Sequence, residues 1–170
     1  MRHLKPFLLI LLLSLSVAAQ DERESLKDLR ALGVVYQTMP AEKVVLEKAG
    51  VFGASILETV TLRLRENGIR VLEGDQGGST LGNPKLIIVV SLAYREDADM
   101  MFFNAKVIVK QTVTLTRLKN SSIFHATTWE SPDFSSSGSF INHQLSSKAK
   151  ERINTAVDRF LNAYLAVNPR

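Results

Sequence analysis

The stretch FFNAKVIVKQTVTLTRL, residues 102–118, alternates apolar and polar side chains over an unusual length. Successive side chains of a strand point to opposite faces. Phe103, Ala105, Val107, Val109, Val113 and Leu115 therefore share one face, and Asn104, Lys106, Lys110, Thr112, Thr114 and Thr116 the other. Gln111 interrupts the apolar face and reads as a polar group satisfied by backbone within the sheet. A long strand that is apolar on one side needs a second layer on that side, and the rest of the sequence is read for it.

Two segments supply the layer. In VFGASILETVTLRLREN, residues 51–67, Gly53, Ile56, Leu57, Val60 and Leu64 recur at three- and four-residue steps, which predicts a helix from about 53 to 66. Gly68 is suited to the left-handed position after its last turn, and residues 41–49 read as a separate short turn. In SSKAKERINTAVDRFLNAYL, residues 146–165, Ala149, Ile153, Ala156, Val157, Phe160, Leu161, Tyr164 and Leu165 form one continuous stripe. Ser146 or Ser147 is placed to cap that helix.

Further strands flank these elements. GVVYQTM (33–39) is closed by Pro40, IRVLEG (69–74) is short, KLIIVVSLAYR (85–95) is apolar on both faces and IFHATTWES (123–131) follows the long strand. The order β-α-β-β-β-β-α predicts an α+β two-layer sandwich: a mixed sheet of about five strands with two amphipathic helices on one face. The unit at 33–72 should make its two strands parallel with a right-handed crossover, and the meander at 85–131 should be antiparallel.

The start of the chain reads differently. MRHLKP carries Arg2 and Lys5, FLLILLLSLSV is apolar, and Val17 and Ala19 are the small residues a signal peptidase reads. The apolar run is shorter than the roughly 20 residues of a spanning helix, so residues 1–19 are expected to be a signal peptide. Residues 20–32 are expected to be a flexible lead, or a short helical turn, and residues 33–167 a single domain. Of the 21 Lys+Arg, Arg2 and Lys5 lie in the leader, leaving 19 against 17 Asp+Glu. So slight an excess, interspersed with acids, does not point to nucleic acid or to an anionic membrane. No integral membrane segment is expected after cleavage. With no cysteine, thiol catalysis, thiolate metal sites and disulfides are excluded.

The segment IFHATTWESPDFSSSGSFINH (123–143) holds the residue types of a hydrolase: His125, Glu130, Asp133, five serines and His143. Its serines lack the G-x-S-x-G turn that presents a nucleophile, and nothing in the spacing forces one against a histidine. The histidines lack the short fixed spacing of zinc ligands. PDFSSSGSFINH (132–143) reads as a loop. GDQGGSTLGNPK (74–85) lacks the phosphate-loop pattern and no helix follows it. No catalytic residue, metal or cofactor is expected. On the fifth strand His125, Thr127 and Trp129 should point the same way. Trp129 either completes the core or stands on the open face as a contact anchor. The candidate interaction surface is Lys106, Lys110 and Thr112 on the open sheet face, with Trp129, Phe134 and Phe140.

LETVTLRLRENGIRVLEG (57–74), QTVTLTR (111–117) and the ending VDRFLNAYLAVNPR (157–170) resemble a group of short exported bacterial proteins of uncharacterised function. The resemblance covers most of the chain after the leader. It implies a signal peptide, a strand, a helix turning into a second strand, a long sheet and a closing helix. It brings no active-site residues with it. The expectation is an exported, non-catalytic binding or assembly protein of the bacterial periplasm or cell envelope, or one released from the cell, partnered by another envelope protein. The alternatives are a small-ligand or lipid carrier, with a cavity between sheet and helices, and a hydrolase with a site near 125–143.

Overall fold

A computed structural model describes residues 22–73, 83–95, 100–114, 123–139 and 144–169. The leader, the glycine-rich connection at 74–82, the tail of the long alternating pattern, Phe140 and His143 lie outside the described residues.

The chain folds as β1 (Ala31–Gln37), α1 (Pro40–Lys48), α2 (Gly53–Glu66), β2 (Arg70–Leu72), β3 (Lys85–Arg95), β4 (Met100–Thr114), β5 (Ile123–Glu130), β6 (Phe134–Ser139) and α3 (Gln144–Val167). The strands form one mixed sheet in the order β2-β1-β3-β4-β5, with β6 also paired to β4. β1 runs parallel to both β2 and β3, and β4 is antiparallel to β3, β5 and β6. The α+β sandwich is therefore as the sequence predicts, and α2 covers the predicted 53–66. β1 begins and ends two residues earlier than 33–39. The doubly apolar β3 is central in the sheet, between β1 and β4.

β4 organises the core. Met101, Phe103, Ala105, Val107 and Val109 are buried on the helix side, with Leu86, Ile88 and Val90 of β3 beside them. Ile56, Val60 and Leu64 of α2 close over them, as do Ile153, Ala156, Val157, Phe160 and Leu161 of α3. Arg63 of α2 bonds Asp158 and Asn154 of α3, which ties the two helices across their polar edges. Gln111, on the core face, donates to the Ser25 carbonyl at 2.8 Å, so its amide is satisfied by backbone.

α1 has a separate duty. β1 ends against β3 at the Gln37–Val89 pair, leaving the rest of that β3 edge without a neighbour strand among the described residues. The Glu42 carboxylate accepts from Leu92 N–H on that edge, from Met39 N–H and from the Thr38 hydroxyl. One side chain thus caps the helix start and covers an open strand edge.

β5 and β6 share one edge of β4: β5 pairs with Ile108–Thr114 and β6 with Met100–Ala105. Ser131 joins them. Its N–H donates to Val107 O at 2.8 Å, its Oγ accepts from Val107 N–H at 3.0 Å, and the hydroxyl donates to Pro132 O. Ser131 is buried, so Ser131→Ala strands the Val107 N–H. A loss of about 1–3 kcal/mol is expected, read from the urea midpoint.

Four expectations are corrected. Residues 134–139 are a strand rather than part of a loop: their serines suit a loop in composition, but the free edge of β4 pairs with them. Of the two readings of 20–32, residues 22–30 follow the helical turn and not the flexible lead. A helical turn at 22–24 leads to Leu26, which is 0 % exposed, and Leu29 is buried too. Asn168 clasps this segment, accepting from Asp28 N–H and donating to Leu26 O. α3 starts at Gln144, so Ser146 and Ser147 lie inside its first turn rather than capping it; the Ser146 hydroxyl donates to Gly50 O. The fourth correction, the direction of Trp129, concerns the candidate site.

The glycines at the two ends of α2 have different reasons. A Cβ on Gly53 would stand 2.8 Å from Cδ1 of the Tyr36 ring, so the helix start rests directly on β1. Gly68 has φ +80° with open space around it, so there only the backbone demands glycine. Gly53→Ala should cost roughly 1–3 kcal/mol by overpacking and Gly68→Ala about 1–2 kcal/mol by left-handed strain. Denaturation of the two variants measures both.

Candidate functional site

The face of the sheet turned away from α2 and α3 carries the even-numbered side chains of β4. The register sets β3 and β5 or β6 partners beside them: Lys85 and Thr127 flank Lys110, Ile87 and Glu130 flank Ile108, Ser91 and Ser135 flank Asn104, and Ala93 and Ser137 flank Phe102. The face divides into two halves of different chemistry.

The first half is basic over an apolar centre. Ile87 and Ile108 are buried although no described helix covers them. The register sets Lys85, Lys106 and Lys110 around that pair. Lys106 donates to Glu130 Oε1 at 2.7 Å, and that bond holds its ammonium pKa above the ordinary 10.5 against the opposing effect of desolvation. Lys110 has no ion-pair partner among the described residues. Thr112 lies at the far end, opposite His125, with a buried hydroxyl oxygen lacking a hydrogen-bond partner.

Among the described side chains the second half is uncharged, with the Arg95 position opposite Met100 at its end. Met100 and Phe102 stand 37 % and 45 % exposed. Around Phe102 lies a groove of about 390 Å³ lined by Ser91, Ala93, Phe102, Asn104, Ser135 and Ser137. Phe102 was not among the residues the sequence reading selected. Carrying the alternation of Asn104 and Lys106 one step back places it on the open face.

The predicted surface is split by the sheet. Lys106, Lys110 and Thr112 are on the open face as expected. Trp129 is not: it is 5 % exposed and meets Phe160 edge-to-face, ring centroids 5.5 Å apart. A register shift between Val109 and Lys110 pairs Val109 with Trp129 but Lys110 with Thr127. Thr128 is the extra residue, and such a bulge reverses which face the following side chains take. His125 and Thr127 accordingly point to the open face while Trp129 points to the core. Phe134, opposite Ala105, is half-buried against the core as well. Neither aromatic belongs to an open-face surface.

The same register separates the hydrolase candidates. His125 lies opposite Thr112 and Ser135 opposite Asn104. Those positions are eight residue steps apart along β4, about 26 Å at the rise of a strand. His125 cannot serve as base for the β6 serines. No group of three or more metal-ligating side chains occurs among the described residues.

Two further concavities among the described residues bear on the other readings. The larger, about 650 Å³, runs along the outer edge of β5 between Arg23, Arg159 and Asn162, with the edge of Trp129 at its floor and Glu22 and Glu130 on its walls. Its charges are of both signs. The cleft between α2 and α3, bounded by Ile56, Thr59, Val60, Lys150, Ile153 and Asn154, holds about 120 Å³. That is well below the roughly 300 Å³ of a small-molecule site.

The fold and face together define an open-faced α+β sandwich with a two-part sheet surface. No protein-family model, curated protein or solved structure matches the chain. Among the described residues no helix is long and apolar enough to cross a membrane.

Proposed function

We propose that this chain is an exported binding or assembly protein of the bacterial periplasm or cell envelope, without catalytic activity. Its working surface is the open face of the sheet, and its partner is another envelope protein. The observation that supports this reading most is the sheet face that no described helix covers. It presents exposed Met100 and Phe102 next to a lysine-ringed apolar centre in which Glu130 is the acid the register places. Exposed apolar side chains beside a charged rim are the usual composition of a contact surface. The excess of lysine fits a partner surface with an apolar centre and acidic surroundings.

The leader supports export. Residues 1–19 have the basic start, apolar middle and small-residue end of a cleaved signal.

The test has two steps. Tagged mature protein is used to capture partners from its own cell envelope in mild detergent, and each recovered protein is then purified and rebound. Carrying Lys106→Ala and Lys110→Glu together should weaken the purified pair about tenfold and reduce its salt dependence. Equal binding by native and variant protein would remove the open face from the contact. Recovery of lipid alone would favour the carrier reading.

A further inference from the structure

We propose that the groove around Phe102 is a binding site for a neutral saccharide. This rests on the reading of the open face as the working surface and names one ligand class for its uncharged half.

The groove is built from two rungs across three strands. Ser91, Asn104 and Ser135 form one, and Ala93, Phe102 and Ser137 the next. Neighbouring strands are about 4.8 Å apart and alternate residues on one strand about 6.8 Å, so the platform measures roughly 10 Å by 7 Å. Phe102 has Ala93 and Ser137 beside it, Ser91 and Ser135 on one diagonal and the Arg95 and Ser139 positions on the other, and it stands 45 % exposed. Among the described residues no charged side chain lines the groove.

Asn104 supplies the second observation. Its Oδ1 is buried and has no hydrogen-bond partner. A buried acceptor without a donor is costly, and native structures rarely keep one without a use for it. The terminal amide torsion is two-fold, so a half-turn exchanges Oδ1 and Nδ2 and brings the acceptor to the groove. A ligand that donates to the turned amide gains a hydrogen bond there. The hydroxyls of Ser91, Ser135 and Ser137 make no side-chain hydrogen bond among the described residues, and each can both donate and accept.

The ligand these groups fit has one apolar face to lie on an aromatic ring. Its edge carries hydroxyls that donate and accept, and it has no net charge. A pyranose ring has that construction. Among the described residues of the lining a phosphate headgroup or an acidic peptide would find no cation; the neighbouring Lys106 is held by Glu130 and Lys148 by Ser137 O. The groove opens onto the sheet face rather than into an enclosed cavity, which suits a ring within a polysaccharide chain.

Saturation-transfer NMR on the mature chain tests this. The probes are neutral oligosaccharides of three to six rings: β-1,4-linked N-acetylglucosamine, β-1,4-linked glucose and α-1,4-linked glucose. An acidic peptide and anionic vesicles run beside them. Saturable binding to at least one oligosaccharide series is expected, weakened at least tenfold by Phe102→Ala and by Ser137→Phe, which fills the groove. Lys110→Glu should leave it unchanged. Asn104→Ala should also weaken it at least tenfold while the melting temperature stays level or rises, a combination that a merely structural asparagine would not give. The proposal is overturned if no neutral oligosaccharide binds, if only the peptide or the vesicles bind, or if Phe102→Ala binds as the native chain does. If a protein partner is still captured through the lysine half, only the saccharide site is lost. If that capture fails too, the open face is lost as a working surface.

Discussion

Trp129→Ala should lower stability by about 3–5 kcal/mol, the range for removing a large aromatic side chain from a core. The indole lies against Phe160, which in turn stacks on Tyr164 at 6.2 Å. Its loss opens a cavity between β5 and α3 that their backbones cannot close. The neighbouring bulge adds a constraint, because Thr128 is held by Ser25, whose hydroxyl donates to Thr128 O at 2.7 Å. Urea denaturation followed by far-ultraviolet circular dichroism measures the loss. Phe102→Ala is the control: on the open face it should change stability by no more than about 0.5 kcal/mol. A small effect at Trp129, or a large one at Phe102, would mean that the assignment of faces is reversed.

A chain that begins at residue 31 should lose at least as much. It lacks Leu26 and Leu29, both in the core, and each buried leucine reduced to alanine costs about 2–5 kcal/mol. It also leaves the Gln111 amide, half-buried between sheet and helix, without its backbone acceptor. Against a total of about 5–15 kcal/mol for an ordinary domain, the shortened chain should be largely unfolded at 37 °C. Leu26→Ala in the full mature chain separates the packing effect from the loss of backbone. A shortened chain as stable as the intact one would restore the reading of 20–32 as a lead outside the domain.

Much of the fold was legible because periodicity carries it. The alternation of 102–118 gave the faces of β4, and the stripe from Ala149 to Leu165 gave α3. What escaped was set by partners distant in sequence. Leu26 and Leu29 sit among charged residues, and distant partners, among them Thr128, Gln111 and Asn168, hold their segment against the core. The serines of β6 carry no strand signal, since their strand exists by pairing with the spare edge of β4. Trp129 was aimed by one extra residue, Thr128, and a bulge has no local signature in IFHATTWES. The site was legible to the same degree. Lys106, Lys110 and Thr112 followed from alternation within one strand. The Phe102 groove needs three strands in register and cannot be seen in any one of them.

The clasp at Asn168 also sets the order in which the molecule can be completed. The bond from its amide to Leu26 O spans 142 positions of sequence, and closing so long a loop comes late because its entropy must be met before the contact is gained. A nascent chain that has reached residue 143 holds all six strands, yet the apolar side of its sheet has no α3 and Leu26 has nothing to close over it. The latch thus lies at the far end of the chain from its catch, and the last turn of α3 has to be made before it can close.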